Sequence, residues 1–114
     1  MNIAQKFKDQ LTTINKAFAD TGTTLLATDV DFTLVRVDTV GGATTLILPA
    51  ATAAMQGQIA IFVNLGANAA NVQVVAGYGG VGAAHDLAVL ARGDMAFFVC
   101  DGTYWYFVHN TAAV

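Results

Sequence analysis

The stretch from Met95 to Val108, MAFFVCDGTYWYFV, constrains the fold most, because it is apolar on both sides of a turn signal. Asp101-Gly102 between two apolar runs predicts a β-hairpin closed by a two-residue type I′ turn, whose central residues both need positive φ. That turn sets Cys100 opposite Thr103, Val99 opposite Tyr104, Phe98 opposite Trp105 and Phe97 opposite Tyr106. Strand alternation then puts Phe97, Val99, Tyr104, Tyr106 and Val108 on one face. Ala96, Phe98, Cys100, Trp105 and Phe107 fall on the other. Neither face is polar. An antiparallel hairpin ordinarily keeps one wet side, so the pattern places one face in a core and the other beneath a second layer or subunit.

Upstream, β-branched runs punctuated by Gly, Asp and Asn recur from Thr24 onward. The candidate strands are 24–28, 32–37, 44–48, 58–64, 71–76, 87–91, 94–100 and 103–108. About eight short strands at this spacing predict an all-β domain, an antiparallel β-sandwich of jelly-roll type or a small barrel, over residues 23–114. The Ala-rich ATAAMQG at 51–57 is left open as a helical turn, and no tandem repeat stands out. Residues 1–22 read as a separate arm. Ile3, Phe7, Leu11, Ile14 and Phe18 recur every three or four positions, which predicts an amphipathic helix ending near Gly22. Its stripe docks either on its own β domain or on a neighbour.

The composition argues for neighbours. The 114 residues are 55% hydrophobic and only 11% charged, against about 25% charged in an average domain. A domain this small buries roughly two-thirds of its unfolded surface. More apolar surface is present than one small core hides, so burial against other chains is expected, with Phe98, Trp105 and Phe107 joining the helix stripe as candidate interface residues.

Several classes are disfavoured. No stretch reaches the roughly 18 consecutive apolar residues of a spanning helix, so no membrane partner is expected. Lys6, Lys8 and Asp9 interrupt the region where a signal peptide carries its apolar core, and the single Cys100 fits a reducing compartment, so synthesis in a cytoplasm is expected. Three lysines and two aspartates leave residues 1–20 at +1, while two arginines and six aspartates leave the remainder at −4. An acidic body is a poor match for phosphates, so nucleic acid is not an expected partner. Serine and glutamate are absent altogether. No Asp/His grouping has a mechanistic spacing, and the chain is read as non-enzymatic and without cofactor.

Five local features invite a function. Gly77, Gly79 and Gly82 spell G-x-G-x-x-G, with Asp101 at 19 positions beyond Gly82. That fingerprint works only at the start of a parallel βαβ unit, and here Asp101 is engaged in a hairpin turn, so a loop joining two strands accounts for the glycines. Arg92, Gly93 and Asp94 match a cell-adhesion tripeptide that a Gly-Asp turn explains equally well. His85, Asp86, His109 and the Asp29, Asp31 and Asp38 group lack zinc or calcium spacing. Cys100 reads as a buried, inert thiol. Tyr104, Trp105 and Tyr106 are the candidate glycan contacts, although alternation points Trp105 away from the two tyrosines.

Residues 44–108 resemble β modules of tailed-bacteriophage structural proteins. The resemblance rests on Leu48-Pro49, the Gly57 to Ile61 and Asn71 to Val74 strands, Leu90 to Asp94, and the hairpin from Asp101 to Trp105. Such modules occur in capsid decoration (cement) proteins and in head or tail fibres. The resemblance implies a virion structural role, with a homotrimer on the outer surface of the major capsid protein shell as the first expectation. A fibre domain binding a host receptor or glycan is the alternative.

Overall fold

The computed structural model describes residues 3–74 and 85–110. It holds one helix, α1 (Ile3–Gln10), and nine strands: β1 (Thr12–Ala17), β2 (Thr23–Thr24), β3 (Thr33–Asp38), β4 (Thr44–Leu48), β5 (Ile59–Asn64), β6 (Ala70–Val74), β7 (His85–Leu90), β8 (Met95–Cys100) and β9 (Trp105–Asn110). The first sheet has the order β1-β3-β5-β8-β9 and the second β2-β4-β6-β7.

The domain is mostly β, as expected, but the sheets are mixed and not antiparallel. β1, β3 and β5 run parallel, as do β2, β4 and β6, and only the pairs β5/β8, β8/β9 and β6/β7 are antiparallel. Parallel neighbours need a long crossover, usually a helix. Here the crossover is a strand of the opposite sheet. The chain alternates between sheets from β1 to β6, so each circuit adds one strand to each sheet and winds a flattened coil. Thr33 lies beside Ala60 and Thr44 beside Ala70, so one circuit advances the chain by 27 and then 26 residues. The earlier circuits are shorter, 21 residues from Thr12 to Thr33 and 23 from Thr23 to Leu46, so the winding has no fixed sequence period.

Alternation also builds the core. β3 and β4 bury every second side chain, and the two sheets close over Val35, Val37, Leu48, Phe62, Val72 and Phe98. Phe62 meets Phe98 edge-on at 5.3 Å between ring centroids, and Phe98 stacks on Phe107 at 5.6 Å. Each large side chain buried this way contributes about 1.5–3 kcal/mol of transfer free energy.

The N-terminal expectation needs a larger correction. The helix stops at Gln10, and Thr12–Ala17 forms β1. β-branched Thr12, Thr13 and Ile14 favour a strand, and the exposed edge of β3 supplies a hydrogen-bond ladder that a helix would forgo. The five-residue stripe therefore does not form. Ile14 packs against the core, while Phe18 stands on a 3₁₀ turn and is exposed. Through its pairing with β3, Thr12–Ala17 is part of the first sheet. The stretch 24–28 is not a strand either: after the two-residue β2, Leu25 plugs the core and Ala27–Val30 turns as a 3₁₀ helix. A short 3₁₀ turn at Ala53–Met55 settles the Ala-rich segment.

Candidate functional site

The hairpin that dominates the sequence keeps its two faces but not its register. Cys100 pairs with Trp105, Val99 with Tyr106, Phe98 with Phe107 and Phe97 with Val108. The register is offset by two residues from a two-residue turn, an even shift that leaves every side chain on its expected face. The cause is Asp101. Its carboxylate accepts the Thr103 amide at 2.8 Å and the Tyr104 amide at 2.7 Å, while its own amide donates to the Tyr104 carbonyl. Only Gly102 takes positive φ, so the loop is a wider, side-chain-capped turn and not type I′.

The Tyr104 and Thr103 amides, helped by the Tyr106 hydroxyl at 2.9 Å, hold the Asp101 carboxyl below its ordinary value of 3.8. Folding thus favours the ionised form, and the turn has its full support at neutral pH and loses it as pH falls below about 4. Faster hydrogen exchange at the Thr103 and Tyr104 amides on acidification is the expected result. Asp101→Asn should exchange at a rate that no longer tracks this titration.

Inward, the hairpin presents Phe98 and Trp105, which are buried in the protomer's own core. Both are therefore withdrawn from the expected interface, and Phe107 packs partly against that core. The Trp105 indole Nε1 donates to the Pro49 carbonyl at 2.8 Å. Trp105 is thus unavailable for glycan stacking, and Tyr104 and Tyr106 do not form a platform with it. Outward, several apolar side chains are exposed among the described residues. Val108 is 61% exposed, Val99 and Tyr106 43%, and Phe97 36%. On the neighbouring strands the same rows continue into half-buried Ile59 and Leu34 and buried Ile61, so the exposed part is confined to β8 and β9. The outer face of the second sheet carries Thr45, Asn71 and Gln73, with Val89 the one strongly exposed apolar residue among its described strands.

A second apolar surface lies at one end of the coil. The parallel strands β1, β3 and β5 all finish there, and the next turns carry Phe18, Val40 and Leu65, all exposed. Buried polar residues hold these turns. Asn64, fully buried, donates from Nδ2 to the carbonyls of Asn68 at 2.7 Å and Leu90 at 2.9 Å. Its Oδ1 accepts the Gly66 amide at 2.9 Å and lies 3.0 Å from the buried Thr39 hydroxyl. The Asn68 side chain closes the set by donating to the carbonyls of Thr39 and Val40. Val40 and Leu65 directly follow Thr39 and Asn64, so the clamp fixes the outward residues. An open cleft beside them is lined by Asn15, Arg36, Val37, Asp38, Val40 and Leu65.

The remaining motifs are structural where they are described. Asp94 of the Arg-Gly-Asp turn is buried, accepts the Ala91 amide at 3.0 Å and lies 3.1 Å from His109 Nε2. Its carboxylate is not presented to a receptor. Asp29 caps the Leu26 amide and Asp38 the Val40 amide. Among the described residues, no group of three or more His, Cys, Asp or Glu is placed to hold a metal ion, and no helix is long and apolar enough to cross a membrane. Cys100 is free and buried. Gly77, Gly79 and Gly82 lie outside the described residues, as do the side chains of Ile3, Phe7, His85 and Asp86.

The outward row was legible in the hairpin pattern. The turn ridge was missed, since it depends on parallel winding that brings strand ends 21 to 27 residues apart to one edge. The chain matches no protein-family model, no curated protein and no solved structure.

Proposed function

We propose that this chain is a non-enzymatic structural protein of a tailed-bacteriophage virion, a decoration (cement) protein that binds the outer surface of the assembled head. One observation carries the reading: among the described residues two apolar surfaces are exposed, Phe97, Val99, Tyr106 and Val108 on the β8–β9 hairpin and the Phe18, Val40 and Leu65 ridge. A bridging protein needs two such surfaces, one for its own copies and one for the shell, and exposed apolar patches of this kind mark interaction sites. The likeness of residues 44–108 to phage modules supplies the virion context, and with it a homotrimer. The protein would be made in the host cytoplasm and end on the capsid surface.

The mechanism is linkage. A ligand that binds only the assembled shell stabilises it by RT ln(1 + [L]/Kd), about 2.7 kcal/mol at 100 times Kd, without chemistry. Co-sedimentation with shells assembled without this chain, beside unassembled capsid subunits, tests it. Binding to shells but not to subunits is expected. Localisation to tail fibres in imaged virions would replace the reading with the fibre alternative.

A further inference from the structure

We infer that copies of this chain join edge to edge, the open edge of β9 in one copy pairing in parallel with the open edge of β1 in the next, so that the first sheets close into a ring. The number of copies rests on the homotrimer of the reading above. The contact itself rests on the strand edges.

Among the described residues, β1 and β9 end the first sheet, and β2 and β7 end the second. An open edge is a row of unpaired N–H and C=O groups that another strand can take. β2 is only two residues long, and a register shift between Val72 and Gln73 breaks the β6/β7 ladder. β1 and β9 are each six residues long. β9 carries no proline, lysine or acidic residue, and its Tyr106 and Val108 are exposed.

The backbone decides which groups are available. The Asp101 amide donates to the Tyr104 carbonyl, and antiparallel partners alternate between bonded and unbonded pairs. Val99/Tyr106 and Phe97/Val108 are therefore the bonded pairs, which turns the N–H and C=O of Trp105, Phe107 and His109 to the open edge. On β1 the Thr12 amide donates to the Phe32 carbonyl, so Thr12, Ile14 and Lys16 face β3 while Thr13, Asn15 and Ala17 face away. The Asp20 carboxylate takes the Ala17 amide at 2.8 Å. Those of Thr13 and Asn15 stay open.

These groups interlock when Thr13 of one copy lies beside Tyr106 of the other and Asn15 beside Val108. Thr13 N–H then meets the Trp105 carbonyl, and Asn15 N–H meets that of Phe107. Phe107 and His109 in turn donate to the carbonyls of Thr13 and Asn15. The two strands overlap over their whole length, and Ile14 and Phe107, both packed against the core, fall on the same inner side. Direction agrees as well. β1, β3 and β5 are parallel, and two antiparallel steps through β8 return β9 to the direction of β1. Rotation about an axis along the strands preserves that direction, so one head-to-tail contact repeats until the ring closes.

Charge favours head to tail over like with like. Lys6, Lys8 and Lys16 lie with Asp9 and Asp20 in residues 1–20, at +1, while the remainder is at −4. Pairing β1 with β1 brings two lysine-bearing segments together. β9 instead lies between Asp101 and the Asp94–His109 pair, with Arg92 in the Asp94 turn. Exposed Arg36 and Asp38, one strand inside β1, offset each other.

The test combines solution mass and cross-linking of the full chain. By light scattering, the wild type should weigh about three times its protomer mass of 11.8 kDa. Asn15→Pro removes an N–H that faces away from β3 and puts a ring where the neighbour's backbone must come. It should associate roughly a hundredfold more weakly, with unchanged circular dichroism. Aligned residues on paired strands lie about 4.8 Å apart, within disulfide reach. The double variant Asn15→Cys, Val108→Cys should therefore form disulfide-linked oligomers with diamide, and neither single variant should. The cross-link decides if Asn15→Pro fails to fold. A monomeric wild type, a folded Asn15→Pro variant of wild-type mass, a double variant that does not cross-link, or linked dimers from Val108→Cys alone overturns the inference. A mass of two or four protomers with the cross-link present supports the edge contact and corrects the homotrimer. Shell co-sedimentation is scored separately: shell binding without the cross-link sinks the ring and spares the decoration reading, and a cross-linked ring that ignores shells does the reverse.

Discussion

Gly66→Ala should lower the melting temperature by roughly 10–15 °C, the largest effect expected from a methyl group added at any of the described glycines. A Cβ at Gly66 would sit 2.8 Å from the Thr39 carbonyl carbon and closer still to its amide nitrogen and hydroxyl. Backbone cannot swing aside as a flexible side-chain tip can, so the clash must push β3's turn away from β5's. Overpacking of this kind costs about 1–3 kcal/mol. Separating the turns also strips partners from buried Asn64 and Thr39, and each buried polar group left unsatisfied costs about 1–3 kcal/mol more. A combined loss of about 3 kcal/mol corresponds to that shift for a domain near 100 residues. Gly22→Ala is the contrast. Nothing lies within 4 Å of a Cβ there, and its φ of +78° leaves only the left-handed backbone penalty, about 1–2 kcal/mol. Thermal melts of the two variants side by side check the ordering.

Trp105→Ala should cost about 3–5 kcal/mol, the range for deleting a large aromatic from a core. Trp105 is 1% exposed, and its ring fills the space between the hairpin and the chain leaving β4. Trp105→Phe should cost less, because the ring is largely replaced while the hydrogen bond to Pro49 is lost, about 1 kcal/mol. Denaturant unfolding of both variants measures this. A Trp105→Ala variant as stable as the wild type would mean that the indole is not in the core. It would reopen the stacking platform that Tyr104, Trp105 and Tyr106 suggest in sequence.

These two sites mark what a reader of the sequence can and cannot see. The hairpin faces were legible because strand alternation is local: Phe98 and Trp105 share a side in the register of a two-residue turn, and an even slip of two leaves them there. The exact turn was not, because Asp101-Gly102 signals type I′ by residue type while the Asp101 carboxylate captures two downstream amides instead. The placement of β1 was hidden for a related reason. Ile3, Phe7, Leu11, Ile14 and Phe18 satisfy helical spacing, but from Thr12 onward the edge of β3 decides the outcome, and tertiary pairing overrides local period. Parallel winding was the least visible feature. Short β runs without intervening helices read as hairpins, and nothing local distinguishes a turn back within one sheet from a crossing to the other.

The Asn64 clamp shows the same limit from the other side. Asn64, Thr39 and Asn68 look like ordinary polar residues near turns, and the burial of Asn64 and Thr39 follows only once the circuits of the coil stack. The clamp holds Val40 and Leu65 outward, and alternation in β8 and β9 does the same for Phe97 and Val108. Fold and proposed function therefore meet at the same residues: what the coil cannot bury, it presents.

The central claim is that those surfaces serve an assembled shell. Thermal melting of shells assembled without this chain, titrated with the purified protein, tests it most directly. The account predicts a melting temperature that climbs with protein concentration, as mass action requires, and no binding to unassembled subunits. Shells that melt at the same temperature at every concentration, with the protein left in the supernatant, would contradict it.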